Sequence, residues 1–292
     1  MTACRLCPRH CSVDRKEVPG FCGAGPMPKL GRAALHFYEE PCISGTQGSG
    51  AVFFSGCNLK CIFCQNAVLR DGQKGRLFTA EELSDVFLQL QAEGAHNINL
   101  VTPTPHLDTI IPALRRARAG GLTVPVVYNT NSYMETDTVK ELAEYVDIWL
   151  ADLKYKDPRL AGMLSAAPDY YAAAFPAIHE MVRSRGWLTL DAAANLATGG
   201  VLIRHLVLPG CLFDTRDILS ALKDTYGREV CLSLMSQYTP TPGLPKPFDR
   251  RLTGREYDSA VEYAAGLGLE HVFIQDMASA TFQYTPEFNL CS

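Results

Sequence analysis

From Gly50 onward the chain alternates short apolar runs with longer amphipathic ones, and this alternation restricts the fold more than any other feature. Gly50–Phe54, Asn97–Val101, Val124–Tyr128, Val146–Ala151, Gly200–Leu208, Val230–Met235 and His271–Gln275 read as seven strands. Each is apolar nearly throughout, as a strand buried on both faces must be. Between them lie runs with helical spacing. Leu83, Val86, Phe87 and Leu90 follow a capping-box start, Thr79-Ala-Glu-Glu82. Ile110–Arg118 ends at Gly120-Gly121, and further helices are expected over 135–145, 172–185, 214–226 (with Asp214 as its cap) and 255–266. Strands alternating with helices of this size make parallel βαβ units. The expected fold class is therefore α/β, a partial or near-complete parallel (β/α) barrel over 50–292, preceded by a cysteine-rich N-terminal extension over 1–49. No linker divides the barrel, and 292 residues suffice for its core. Sites in such barrels form at the C-terminal ends of the strands, which directs attention to the residues there.

The extension ends in His36–Gly50, which reads as a lead-in hairpin to the first parallel strand. Glu39 and Glu40 within it are expected to be a solvated pair. A net charge of −4 gives no reason to expect nucleic acid or an anionic membrane as a partner. No apolar run approaches the roughly 20 residues that span a bilayer. The first residues lack the apolar core of a signal peptide, so a cytoplasmic protein is expected.

Cysteine usage is the second strong feature. Of 11 cysteines, seven fall into two groups, Cys4, Cys7, Cys11, Cys22 and Cys57, Cys61, Cys64. Disulfides are disfavoured in the cytoplasm, so clustered thiols point to metal or cluster binding. Cys42, Cys211, Cys231 and Cys291 are scattered and read as small interior hydrophobes. The Cys4 group, C-x2-C-x3-C-x10-C, fits either a tetrahedral zinc site or a second cluster, with His10 as a substitute ligand.

Ser55-Gly-Cys57-Asn-Leu-Lys-Cys61-Ile-Phe-Cys64 directly follows the first parallel strand, giving C-x3-C-x2-C. Three ligands rather than four is informative: a closed zinc site wants four, whereas a cube held by three cysteines leaves one iron open. Three core cysteines, or part of a zinc site, are the competing explanations. With that spacing the chain resembles the radical S-adenosylmethionine enzymes. The resemblance implies that Cys57, Cys61 and Cys64 are the catalytic ligands of a 4Fe-4S cluster whose fourth iron binds S-adenosyl-L-methionine. It further implies cleavage to a 5′-deoxyadenosyl radical that abstracts hydrogen, with electrons from a ferredoxin- or flavodoxin-type donor.

The strand ends carry the rest of the resemblance. Asn129-Thr-Asn-Ser132 is similar to an Asp-Thr-Asn-Gly run of glycyl-radical-enzyme activating enzymes, with Asn for Asp and Ser for Gly. Asp152-Leu-Lys154 matches their Asp-Leu-Lys, and Ile203-Arg204-His-Leu-Val-Leu-Pro-Gly210 resembles their Ile-Arg-Tyr-Val-Val-Val-Pro-Gly. A Gly-Gly-Glu run common in the superfamily is replaced by Thr102-Pro-Thr104. The resemblance thus nominates Thr102, Asn129, Asp152, Lys154 and Arg204 as cofactor-binding residues. Arg204, inside an apolar strand, requires an anionic partner; the cofactor carboxylate and Asp152 are the two expected. His205, next to it, faces the opposite side and reads as core, and Asn66 as a helix cap. The closest resemblance is to pyruvate formate-lyase activating-enzyme-like (PflX-type) proteins. It implies a protein or peptide substrate. The alternatives are the same radical chemistry on a small molecule, or a non-catalytic iron–sulfur or zinc protein.

Overall fold

The computed structural model describes residues 4–279 and 288. Cys291, expected to be interior, lies outside them, as do the first three residues. In chain order the elements are β1 (Lys29–His36), α1 (Pro41–Ser44), β2 (Ser49–Phe54), α2 (Ala67–Arg70), β3 (Arg76–Leu77), α3 (Ala80–Ala92) and β4 (Ile98–Val101). Then come α4 (Leu107–Ala119), β5 (Val126–Thr130), α5 (Thr136–Leu142), β6 (Ile148–Asp152), α6 (Pro158–Ser165), α7 (Tyr170–Arg185), β7 (Thr189–Leu190), β8 (Ala197–Leu206), α8 (Leu212–Tyr226), β9 (Cys231–Met235), α9 (Gly254–Gly266) and β10 (His271–Ile274).

The strands form one sheet in the order β10-β9-β8-β6-β5-β4-β2-β1-β3, with β7 added beside β8. The seven strands expected from the sequence are the parallel ones, β2, β4, β5, β6, β8, β9 and β10. The sheet is open, its edges being β10 and β3, so the barrel is partial. Every residue of β2 and β4 is buried, as two-sided coverage of a parallel strand demands. The capping box at Thr79 and Glu82 is present, each closing on the other's backbone N–H at the start of α3.

Several local features differ from expectation. The lead-in is antiparallel to β2, with His36 opposite Ser49, but its strand begins at Lys29, where no alternation announces it. Helix α6, with Asp157 accepting from the Arg159 N–H, is an additional element. Asp214 does not cap α8: it lies within the first turn, and its carboxylate accepts from the backbone N–H groups of Lys156 and Asp157. It therefore fastens the loop after β6. Asn66 stands at the N-cap of α2 without a side-chain cap bond.

What positions the site is the concave face. Val127, Ile148, Leu150 and Leu202 form an apolar floor there, covered by Cys42 and Ile43 of α1. Side chains two residues apart on a strand share a face, so Asn129, Asp152 and Arg204 rise from the same side just beyond that floor. Asp152 and Arg204 are directly paired across β6 and β8. Cys42, Cys211 and Cys231 are buried, as small interior hydrophobes should be.

The extension meets the barrel backbone to backbone. Gly23, at φ +76°, lies so close to the chain beyond α2 that an added Cβ would stand 2.3 Å from the Asp71 carbonyl oxygen. Gly227 has a similar φ of +70° but nothing within 4 Å. Gly227→Ala should cost no more than the roughly 1–2 kcal/mol of a left-handed residue. Gly23→Ala should cost clearly more, read as the difference in urea midpoints. Equal costs would show that the extension does not pack as described.

Candidate active site

The loop after β2 is held by backbone bonds of its own, independently of any ligand. Gly56 N–H donates to the Leu69 carbonyl, and Cys57 N–H lies against the carbonyls of Cys22 (3.1 Å) and Arg70 (3.0 Å). Further along, Lys60 and Ile62 donate to the carbonyls of Ser165 and Leu164 at the end of α6. The loop is thereby clamped between the N-terminal extension and the barrel. Its three thiols face one cavity of about 270 Å³, which Thr102, Asn129, Asp152, Lys154 and Arg204 also line. All eight residues nominated from the sequence for this site thus meet in one place.

The thiols have neighbours that orient them. Asn131 Nδ2 lies 3.4 Å from Cys57 Sγ and donates to Asn58 Oδ1 at 2.8 Å. Cys61 Sγ is 2.9 Å from Ser165 Oγ, which is in turn 2.8 Å from the Tyr155 hydroxyl. Burial pushes the Cys57 thiol up to about 12 and the Cys64 thiol up to about 11, the adjacent Cys61 adding to both. A bound metal reverses this, since a coordinating thiol is deprotonated outright. Among the described residues, no three His, Cys, Asp or Glu side chains are grouped as ligands of a single ion. Three thiols facing one cavity supply three sulfur donors, one fewer than a closed zinc site wants. The donor set fits a three-cysteine cluster with one iron left for a ligand.

Two expectations need correction. Glu39 and Glu40 are not solvated: Glu40 is 7 % exposed and Arg204 is 6 % exposed. Arg204 Nε donates to Glu40 Oε1 at 2.9 Å, and Nη2 contacts Glu39 Oε2 at 2.5 Å and also Glu40 Oε2. The guanidinium therefore has its anions within the protein, from the residues just before α1, and Asp152 is not its bridge partner. Burial alone would raise the Glu40 carboxyl, but Arg204 outweighs it and holds that carboxyl below the usual range. Glu39 Oε1 accepts from Asn99 Nδ2 and Asn129 Nδ2, at 2.9 and 3.2 Å. Asn129 thus stands beside a carboxylate from elsewhere in the chain.

Asp152 pairs instead with Lys154, whose Nζ is 2.5 Å from Oδ2. Burial would lower the Lys154 ammonium, yet Asp152 and Cys61 together hold it above its ordinary value. Lys154 is charged beside the thiols. The Tyr170 hydroxyl ties this turn to the next strand end, contacting the carbonyls of Asp152 and Asn131 and accepting from the Lys154 N–H. Thr102 and Ser132 have φ of +59° and +60°, a left-handed conformation that costs a β-branched residue most. Ser132 occupies the position of the glycine in the similar Asp-Thr-Asn-Gly run. The backbone keeps a glycine-like turn without the glycine.

Tyr238 and Thr239 also line the cavity, and the Thr241 hydroxyl donates to the Ile62 carbonyl, so the proline-rich stretch 238–248 after β9 touches the cysteine loop. His205 lies on the opposite face of β8 in the core, its ring between the Leu153 carbonyl (2.7 Å) and Thr215 Oγ1 (3.0 Å). His106 is buried against the Ser55 carbonyl at 2.8 Å. Burial lowers both imidazoles from 6.5 to about 4. A depressed histidine favours the folded state above its unfolded value and loses that advantage as pH falls through its folded value. Urea midpoints should therefore decline progressively from pH 6.5 to pH 4. A flat profile over that window would contradict the buried neutral rings.

Fold and site together define a parallel (β/α) protein with a thiol-lined cavity at its strand ends. Residues 51–181 match the Radical SAM superfamily, whose members are enzymes and which implies a 4Fe-4S cluster and S-adenosylmethionine. Over 285 residues the chain is 27% identical to an uncharacterized protein of Methanocaldococcus jannaschii, MJ0674, covering 92% of this chain and 76% of that protein. A shorter stretch of 73 residues, 22% of this chain, is 41% identical to the 7-carboxy-7-deazaguanine synthase of Methanothermobacter thermautotrophicus, covering 30% of it. Among solved structures, Streptococcus suis SuiB bound to precursor peptide SuiA aligns with a TM-score of 0.52 at 15% identity. That alignment covers 75% of this chain and 46% of SuiB, and is a likeness of fold. The chain thus spans less than half of SuiB and under a third of the synthase. No helix among the described residues is long and apolar enough to cross a membrane.

Proposed function

We propose that Cys57, Cys61 and Cys64 hold a 4Fe-4S cluster, and that the chain is a radical S-adenosylmethionine enzyme of the activating-enzyme-like (PflX-type) group. Its substrate in this reading is a protein or peptide. The observation that carries it is the convergence of three half-buried thiols with the Asp152–Lys154 pair in one cavity. When bound, the cluster and S-adenosylmethionine supply one-electron cleavage of the sulfonium and a carbon radical able to abstract hydrogen.

The chain's own residues do the rest. Lys154 presents a cation to the carboxylate of a bound amino acid moiety, and Asp152 holds that cation in place. Thr102 lines the cavity from a left-handed turn, and Ser132 takes a similar turn directly after Asn131, which also lines it. Arg204 acts through Glu39, fixing the carboxylate that orients Asn129. A ferredoxin- or flavodoxin-type donor supplies the electron. Residues 50–292 form the catalytic barrel in this reading, and 1–49 an extension that braces it.

A macromolecular substrate is supported by the similarity of the Asp152-Leu-Lys154 and Arg204–Gly210 runs to activating enzymes. SuiB, which shares the fold, was crystallised with a precursor peptide. The local match to 7-carboxy-7-deazaguanine synthase favours a small molecule instead. Cell extract of the source organism, split by size, distinguishes the two. The macromolecular fraction should stimulate 5′-deoxyadenosine release above the uncoupled rate, and protease treatment should abolish the effect. Stimulation confined to the small-molecule fraction would replace the peptide reading.

A further inference from the structure

Cys61 is held differently from Cys57. Cys57 Sγ takes long contacts from the Leu59 N–H and from Asn131 Nδ2, each at 3.4 Å. Cys61 Sγ has a hydroxyl at 2.9 Å, Ser165 Oγ, and the Tyr155 hydroxyl lies 2.8 Å beyond that. Ser165, at the end of α6, and Tyr155, in the loop after β6, are both buried. Two backbone bonds fix the contact. Lys60 N–H donates to the Ser165 carbonyl at 3.1 Å, and Ile62 N–H to the Leu164 carbonyl at 2.9 Å. These donors flank Cys61 in the chain, so its side chain is pinned against the end of α6.

The protons available decide which way these bonds run. A free thiol and a serine hydroxyl can each donate to the other. A metal-bound sulfur has no proton, so with Cys61 as a ligand Ser165 gives its single O–H to the sulfur. The Ser165 oxygen is then left to accept, and Tyr155 supplies the proton. The relay Tyr155 O–H to Ser165 O–H to Cys61 Sγ is thereby set in one sense, each bond polarising the next. The rest of that helix end is unfavourable to a thiolate, because a helix C-terminus presents carbonyls and a partial negative charge. Its Leu164 and Ser165 carbonyls are turned to the loop's amides, and the Ser165 hydroxyl is what it offers to the sulfur.

Hydrogen bonds to the sulfurs are among the factors that set the reduction potential of an iron–sulfur cluster. Reduction takes one electron from the donor and adds one negative charge, part of which resides on the sulfur ligands. A proton aimed at a sulfur therefore stabilises the reduced form more than the oxidised form. Resting on the three-cysteine reading, we propose that Ser165 and Tyr155 are positioning residues that raise the reduction potential of the cluster held by Cys57, Cys61 and Cys64, acting through the hydrogen bond to Cys61. Helix α6 thereby gains a part in the site. It brings to one ligand a relay of hydroxyls that the loop after β2 does not contain, and so eases the one-electron reduction on which cofactor cleavage depends.

The test is the midpoint potential of the anaerobically reconstituted full chain, titrated without S-adenosylmethionine and followed by the spectrum of the reduced cluster, with iron measured on each sample. Ser165→Ala should take up as much iron as the native chain. At a fixed potential its oxidised-to-reduced ratio should rise about tenfold, the scale of one charge-assisted hydrogen bond, which is about 59 mV downward for a one-electron couple. Tyr155→Phe keeps the ring and loses only the hydroxyl, and should move the potential in the same direction by less. The sign separates this from a merely loosened loop, since admitted water favours the more highly charged reduced form and moves the potential upward. An unchanged or raised potential in either variant, at native iron content, overturns the proposal. Tyr155→Phe keeps the test decisive if Ser165→Ala fails to load iron. A native chain that assembles no cluster overturns instead the three-cysteine reading, and this role with it.

Discussion

Arg204→Met is expected to destabilise the protein by about 3–5 kcal/mol at pH 7, the cost of removing one partner from a buried ion group. Arg204 is the cation that Glu39 and Glu40 share, and all three side chains are nearly inaccessible. Removing it leaves two largely buried carboxylates side by side without their guanidinium. The pH dependence should also reverse. In the native protein Glu40 is held below its ordinary value of 4.5. Its stabilisation is therefore present above that value and lost as pH falls through the folded value. Without Arg204 burial dominates, the folded value rises, and stability is instead lost as pH climbs past 4.5. The variant's deficit should therefore shrink between pH 7 and pH 5. Adding Glu40→Gln to Arg204→Met should recover part of the loss at pH 7. Urea titration at the two pH values measures this. A deficit under about 1 kcal/mol, or one that grows on acidification, would mean the three groups are not joined as described.

Lys154→Met should leave the iron content at the Cys57 loop intact and weaken S-adenosylmethionine binding by about 10–100-fold, the range for a charge-assisted hydrogen bond of about 1.5–3 kcal/mol. Lys154 is the cation in the cavity whose counterion, Asp152, lies two residues away on the same strand end. A ligand carboxylate therefore finds a charge already oriented. Lys154→Arg should recover part of the affinity. Equilibrium dialysis of the reconstituted protein against labelled cofactor, with iron measured on the same samples, separates lost binding from lost cluster. Unchanged affinity in Lys154→Met would remove this residue from the site.

Much of this arrangement is legible in the sequence, because parallel strands buried on both faces leave a nearly continuous apolar signal. All seven parallel strands carry it, although β10, at the edge of the sheet, is only partly buried, and polar residues at the ends of such strands share one rim. Cys57, Thr102, Asn129, Asp152, Lys154 and Arg204 follow that rule and line one cavity. What sequence cannot supply is pairing across distance. Glu39 and Glu40 look like any exposed acidic pair, and only the packing of α1 under β5, β6 and β8 brings them to Arg204. Asn131 is visible as part of a strand-end run, but its approach to Cys57 depends on a left-handed turn at Ser132 that a serine does not announce. Strand β1 escapes pattern reading because it pairs near the edge of the sheet and has an arginine and a glycine within it. Asp214 misleads for a related reason. An aspartate near a helix start reads as a cap, whereas this one is buried and fastens the loop after β6.

The proposed reaction is reductive cleavage of S-adenosylmethionine in the cavity at Cys57, Cys61 and Cys64. The direct measurement is release of 5′-deoxyadenosine by the anaerobically reconstituted, dithionite-reduced protein, compared with Cys61→Ala prepared in the same way. The wild-type chain should release it repeatedly and Cys61→Ala should show none above a protein-free control. A fully iron-loaded wild-type chain that releases none, or a Cys61→Ala variant that matches it, would contradict the account and leave a protein that holds its cluster without catalysis.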